Sequence, residues 1–307
     1  MADREIKTRG KKGMSDSLYS GLLVTPAMIV LLFFGLFPLF YAINMAFHQV
    51  DMNSVGGIGE FVGLKNFRYA LDSKEFWSSS GRTLFFAVVS VSIQMLLGIA
   101  MAFLINSLKW WKGMVRSLFL LPLASAPAAV GMIWRYLYDS DFGVYNAALA
   151  AVGLPKVDWL GNPDVALISI IIFDVWQWTP FVMLITLAGL QSLPREPFEA
   201  AALDGASTLT VLRKLTFPLL SPVLTLVFIL RAIDAARLYD PIATTTRGGP
   251  GVATETVTYF LYRVGLKYFR LDQASAMALL ILFVIVVFSG LVLRRLMREQ
   301  SDRARHN

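Results

Sequence analysis

The sequence predicts an all-α integral membrane protein with six transmembrane helices. Of its 307 residues 56% are hydrophobic and only 16% charged, where a soluble chain carries about a quarter charged. The mean hydropathy is +0.60. Stretches without Asp, Glu, Lys or Arg, long enough to cross a bilayer, recur along the whole length. A helix needs about 20 residues to cross about 30 Å of hydrocarbon, so the unit to count is the membrane span.

Residues 1–20 hold Lys7, Arg9, Lys11 and Lys12 among small polar residues without apolar periodicity, which predicts a disordered cytoplasmic tail that anchors topology. The first helix falls in the uncharged window 17–50, strongest from Gly21 to Phe47. It is longer than the roughly 7–15 apolar residues of a cleaved signal peptide. Phe61–Leu71 and Phe76-Trp77 follow with amphipathic spacing, suited to a short helix on the membrane surface. Uncharged windows at 83–108 and 117–134 predict the second and third spans. The fourth, 165–190, is interrupted by Asp174, and the fifth, 216–240, by Arg231, Asp234, Arg237 and Asp240. The sixth is 273–293, and Arg294, Arg295, Arg298, Arg303 and Arg305 make 294–307 a basic tail. One transmembrane domain thus covers 21–293, with no solenoid-like repeat.

Lys and Arg favour the cytoplasmic side. With the amino end inside, the cytoplasmic segments hold 16 of them in 70 residues and the opposite segments 10 in 101. Both termini are therefore expected in the cytoplasm.

Composition excludes several chemistries. With no Cys there is neither a disulfide framework nor a thiolate metal site, and two His (His48, His306) do not make an imidazole-rich metal centre. The net charge of +7 fits cytoplasmic loops facing anionic lipid, since no base-reading module accompanies it. A G-x-x-x-x-G-K-[ST] phosphate loop is absent, because Gly10-Lys11 lacks the glycine five positions earlier. The chain is not expected to hydrolyse ATP, to bind a cofactor or metal, or to be an enzyme; its carboxylates have no His or Cys constellation around them.

The connection between the fourth and fifth spans reads Glu199-Ala200-Ala201-Ala202-Leu203-Asp204-Gly205, then nine residues, then Leu215-Thr216-Phe217-Pro218. Small alanines let a helix approach a partner closely, and Gly205 can end or turn it. A second helix from Ser207 or Thr208 to Lys214 would be capped by a hydroxyl and stopped by Pro218. Two short helices at a turn form a knob for a groove on another protein, with the Glu199 carboxylate placed against basic or donor groups.

Charges inside a membrane cost about 2.5–3.5 kcal/mol each and usually face protein or water. Asp174, Gln177, Trp178 and Phe181 lie at i, i+3, i+4 and i+7, a face of one carboxylate, one amide and two aromatic rings. Such a face suits a sugar, and the fifth span adds Arg231 and Asp234. An alternative reading is structural: Arg231, Asp234, Arg237 and Asp240 neutralise one another along the helix, and Asp174 pairs with Arg231 across the bundle. Arg135, beside Trp134, is expected to snorkel to the interface.

The loop resembles the Glu-Ala-Ala motif of the membrane subunits of binding-protein-dependent ABC importers, with Leu215 where that family often has Ile and Phe217 where it often has Leu. Phe61-Val62-Gly63-Leu64-Lys65-Asn66-Phe67, Trp159-Leu160-Gly161-Asn162-Pro163, Ala188-Gly189-Leu190-Gln191-Ser192-Leu193-Pro194 and Gly248-Gly249-Pro250 resemble the carbohydrate-uptake branch, similar to maltose and glycerol-phosphate permeases. The resemblance spans about residues 60–275. It implies the type I importer permease fold in a bacterial or archaeal cytoplasmic (inner) membrane. Glu199, Ala200, Ala201, Asp204, Gly205 and Pro218 would couple the chain to a separate ATPase. Implied partners are a second, unlike permease subunit, two cytosolic ATPase subunits that use ATP and Mg, an extracytoplasmic solute-binding protein, and a sugar or sugar-like solute (polyol, sugar acid or sugar phosphate). In the family, these stretches of the fourth and fifth spans line the substrate cavity. Charged Asp174, Arg231 and Asp234 depart from its commoner uncharged pattern and suggest an acidic or phosphorylated sugar with Arg231 as anion partner. The competing reading is an ion-gradient-driven secondary transporter in which Asp174 and Asp234 titrate or hold a cation.

Overall fold

The computed structural model describes residues 16–50, 57–108, 110 and 112–306. Lys7, Arg9, Lys11 and Lys12 of the predicted tail lie outside them. Helix α1 (Asp16–Phe47) takes in residues 16–20, which the sequence assigned to that tail. Its membrane-length part, Val24–Phe47, leaves Leu31 67% and Phe34 71% exposed. It leans on α13 (Leu271–His306), whose helix continues through the predicted basic tail to His306.

A two-stranded antiparallel hairpin, β1 (His48–Val50) and β2 (Ile58–Phe61), follows α1; the sequence reading contained no strand. Buried Asn66 ties it down, donating from Nδ2 to the carbonyls of Ala46 at 3.0 Å and His48 at 2.9 Å. The amphipathic segment forms α2 (Lys65–Asp72). Phe76 and Trp77, expected in the same surface helix, belong instead to α3 (Lys74–Ser107). Ser73 separates the two helices, and its hydroxyl caps α3 by accepting from the Phe76 N–H. The second span therefore begins before the uncharged window, with Lys74, Glu75 and Arg82 in its outer turns.

The predicted third span is broken. α4 (Lys112–Ala124) and α5 (Pro127–Leu137) meet at 93° across Ser125 and Ala126. Pro127 supplies no N–H and holds Ala126 extended (φ −63°, ψ 128°), so α4 ends and a new helix starts on the proline. A short α6 (Val144–Ala151) precedes α7 (Pro163–Gln191), which starts on Pro163 with the Asn162 side chain accepting from the Asp164 N–H.

Beyond α7 come α8 (Glu196–Leu203), α9 (Thr208–Val211), a π-helical turn Leu212–Thr216, and α10 (Phe217–Ala236). Pro218 does not stop the helix as expected. It sits in the first turn of α10, just after the wider π turn, where a missing N–H is tolerated. The α10 segment ends at Ala236, so Arg237 and Asp240 fall outside it; Asp240 opens α11 (Asp240–Thr244). α12 (Val257–Tyr262) and a second π turn (Arg263–Lys267) lead to α13. Among the described residues five helices are long and apolar enough to cross a membrane, and the count reaches six when the bent α4–α5 pair is taken as one broken span.

The core is the α3–α7 pair, the most extensive helix contact, with α10 against both. Gly98 permits their approach: a Cβ there would lie 2.6 Å from the Val182 Cβ and 3.0 Å from the Met183 backbone nitrogen. Gly98→Ala is expected to cost about 1–3 kcal/mol through overpacking, measured as a lower melting temperature of the solubilised complex. Gly290→Ala, with nothing within 4 Å of the new Cβ, is the control and leaves it unchanged.

Candidate functional site

Two separate groups of predicted residues are assembled, one in the connection between α7 and α10 and one inside the bundle. The first is the elbow between α7 and α10. Glu196 and Glu199 occupy the first turn of α8, where the helix dipole favours carboxylates. Asp204 closes α8 and Gly205 follows at φ +66°. The Gly205 N–H donates to the Ala202 carbonyl at 3.2 Å and the Ala206 N–H to Ala201 at 2.9 Å, the two bonds of a Schellman motif. Ser207 then caps α9 by accepting from the Thr210 N–H. Nothing in α8 or α9 is buried; Leu203 is 90% exposed and Leu209 69%. Glu199, Ala200, Asp204 and Gly205 are exposed, Ala201 half-buried, and Pro218 half-buried where the elbow joins α10. A capped knob with exposed leucines at its tip is thus presented, with no residue of either helix buried against the described residues, and burying those leucines in another chain is its favourable course.

The second group lies within the bundle. Arg231 of α10 is 1% exposed and Asp174 of α7 equally so. Arg231 Nη2 meets Asp174 Oδ2 at 3.3 Å, Nε donates to Gln94 Oε1 at 2.9 Å, and Nη1 pairs with Asp234. Gln94 of α3, fully buried, completes the ring by donating from Nε2 to Asp174 Oδ2 at 2.7 Å. Trp178 covers the guanidinium with its ring centroid 4.6 Å from Cζ, a cation–π contact. One arginine thus ties α3, α7 and α10 together.

This geometry separates the predicted pathway residues. Asp174 and Arg231 form the cross-bundle pair of the structural alternative, and every side of the Arg231 guanidinium is engaged, so it is not presented as an anion partner. Neither Arg237 nor Asp240 takes part in an ion pair among the described residues, so the four-charge neutralisation reduces to Arg231–Asp234. Gln177 turns away to the α4–α5 break, with Nε2 3.4 Å from the Ser125 carbonyl and a buried Oε1 without a partner. Trp178, Phe181 and Asp234 remain partly exposed, and the Trp178 and Phe181 rings pack edge to face with centroids 6.2 Å apart. Gln94 is absent from the sequence-derived site. Its signal was an amide inside an otherwise apolar window.

The chain matches, over residues 94–305, the family described as binding-protein-dependent transport system inner membrane component. It is 40% identical over 296 residues to a probable ABC transporter permease protein of Sinorhizobium fredii, covering 96% of this chain and 95% of the relative. It is 36% identical over 285 residues to the trehalose/maltose transport system permease protein MalF of Thermococcus litoralis, covering 92% and 94%. In fold it is similar to a chain of a bacterial alginate ABC transporter crystallised with an alginate-bound periplasmic protein: TM-score 0.77, 24% identity, 91% of this chain and 94% of that one.

Proposed function

Because the chain belongs to the inner membrane components of binding-protein-dependent transport systems, we propose that it is the permease subunit of an ATP-driven importer for a sugar or sugar-like solute. Its elbow over 199–218 docks on a separate ATPase. The observation that carries this reading is the elbow: a capped helix–turn–helix in which neither helix has a buried residue, set between two membrane-crossing helices. The relative named for trehalose and maltose supports the carbohydrate class. The distribution of Lys and Arg supports a cytoplasmic elbow and cytoplasmic termini. Partners are a second, unlike permease subunit, two ATPase subunits that bind ATP and Mg, and an extracytoplasmic binding protein.

The six helical passages bring solute past α7 and α10, where Trp178, Phe181 and Asp234 offer two aromatic faces and a carboxylate. Asp174, Gln94 and Arg231 hold that face in place. ATP drives the cycle only by binding one arrangement of the ATPase pair more tightly than the other; the elbow carries that difference into the bundle. Asp174, engaged by Arg231 and Gln94, is poorly suited to hold a coupling cation.

The test is uptake into liposomes by the purified complex. Uptake that requires ATP and binding protein and ignores proton and sodium gradients is expected; gradient-driven uptake by this chain alone overturns the reading. Trp178→Ala is expected to raise the KM for sugar uptake about tenfold while permease and ATPase still co-purify, with Trp178→Phe restoring most of the loss. An unchanged KM would remove Trp178 from the pathway.

A further inference from the structure

At the end of the bundle opposite the elbow, α5 and α11 flank an open pocket of about 530 Å³ whose wall includes Arg135, Tyr136, Asp139, Thr244 and Arg247. Its volume lies within the roughly 300–1,000 Å³ of small-molecule sites. Arg135 projects from the last turn of α5, next to Trp134, which is locked in an aromatic cluster with Tyr138, Tyr145 and Phe173. Arg247 follows α11 at φ +55°, a conformation a non-glycine residue keeps only when its surroundings impose it. Here they do. The Arg247 N–H donates to the Ile242 carbonyl at 2.7 Å, and the loop beyond is closed by Thr246 and Thr254 hydroxyls 2.6 Å apart. Both guanidiniums therefore stand on rigid backbone.

Among the described residues no ion pair or side-chain hydrogen bond engages either guanidinium. The one carboxylate in the wall, Asp139, is held in its turn by accepting on Oδ1 the N–H groups of Asp141 at 2.9 Å and Phe142 at 3.2 Å; it keeps its charge, so two positive charges in the wall stand against one negative. A smaller cavity of about 180 Å³ beside α3 makes the contrast. There Glu255 is paired with Arg263, and Arg82 donates to the Glu255 carbonyl and the Ser78 hydroxyl. Burial holds the Glu255 carboxyl above its usual range against the pull of Arg263. There the carboxylate is held by an arginine, whereas the two guanidiniums of the larger pocket, without an ion-pair partner among the described residues, remain available to an oxyanion.

We propose that the α5–α11 cavity binds the carboxylate, sulfonate or phosphate group of an acidic, sugar-sized solute between Arg135 and Arg247. That this end faces outward, toward an arriving solute, rests on the importer reading; anion binding itself does not. An anionic lipid headgroup carries the same chemistry, and the experiment separates the two.

The full permease–ATPase complex is placed in phosphatidylcholine nanodiscs, without ATP or binding protein, and titrated calorimetrically with glucuronate and with neutral methyl glucoside. Glucuronate is expected to bind, more weakly at high salt, and Arg135→Gln or Arg247→Gln to weaken it about tenfold or more. Methyl glucoside binding is expected to be the same in all three proteins. Both arginines are exposed, so the variants are expected to keep the parent melting temperature. Equal glucuronate affinity in all three proteins overturns the proposal. So does glucuronate silence coupled with co-purified phosphatidylglycerol that both variants lose, which makes the cavity a lipid site. ATP-dependent uptake of neutral sugar by the same variants reads the importer assignment separately.

Discussion

Arg231→Met is expected to deplete the folded complex from the membrane. The substitution keeps the length and apolar stem of the side chain but removes the partner of Asp174, which is 1% exposed between α3 and α10. Breaking a buried pair from one side costs about 3–5 kcal/mol, because the remaining charge has neither water nor counter-ion. Gln94 Oε1 loses its donor at the same time, and Trp178 the cation over its face. The reverse change is milder. Asp174→Asn leaves Arg231 with Asp234, Gln94 and Trp178, so a cost of about 1–3 kcal/mol is expected, that of a disturbed buried hydrogen bond. The double variant, Asp174→Asn with Arg231→Met, is then expected to be more stable than Arg231→Met alone, since the only carboxylate left without Arg231 is the partly exposed Asp234 and no fully buried unpaired charge remains. Melting temperatures and the yield of monodisperse complex in detergent measure the series. Additive losses in the double variant would show that the two side chains do not depend on each other.

That cluster marks the boundary of what the chain order discloses. The membrane passages were legible because charge gaps are local and bilayer thickness sets their length. The elbow was legible for the same reason: the Gly205 turn, the Ser207 cap and the acidic first turn of α8 are each made by residues no more than five positions apart. The break in the third passage carried its own signal in Pro122, Ser125 and Pro127, overridden by counting uncharged residues alone. Gln94 is different in kind. Its partners lie 80 and 137 positions away, and no periodicity links residue 94 to Asp174 and Arg231. For the same reason Asp174 and Gln177, at i and i+3, read as one face, although neighbours on different helices draw them apart. Arg135 and Arg247, 112 positions apart by their numbering, meet only because α11 folds back on α5.

Gly205→Pro is expected to abolish coupled transport while leaving the membrane bundle intact. Gly205 sits at φ +66° with nothing within 4 Å of where a Cβ would be, so substitutions there read backbone conformation free of steric clash. Asparagine visits the left-handed region readily, and Gly205→Asn should transport at near the parental rate. Alanine pays about 1–2 kcal/mol for the same conformation, and Gly205→Ala should lose uptake severalfold. Proline fixes φ near about −65° and disfavours the ψ of 0° found at Asp204 before it. It also removes the N–H that reaches the Ala202 carbonyl. Both Schellman bonds open, α8 loses its fixed angle to α9, and Glu199 no longer meets the ATPase together with Leu203. Uptake and binding-protein-stimulated ATP hydrolysis should fall more than tenfold. Because neither α8 nor α9 has a buried residue, the melting temperature of the transmembrane bundle should not move. An order of Asn, Ala, Pro in transport at constant bundle stability is the signature of a coupling element; normal uptake by the proline variant assigns coupling to another part of the chain.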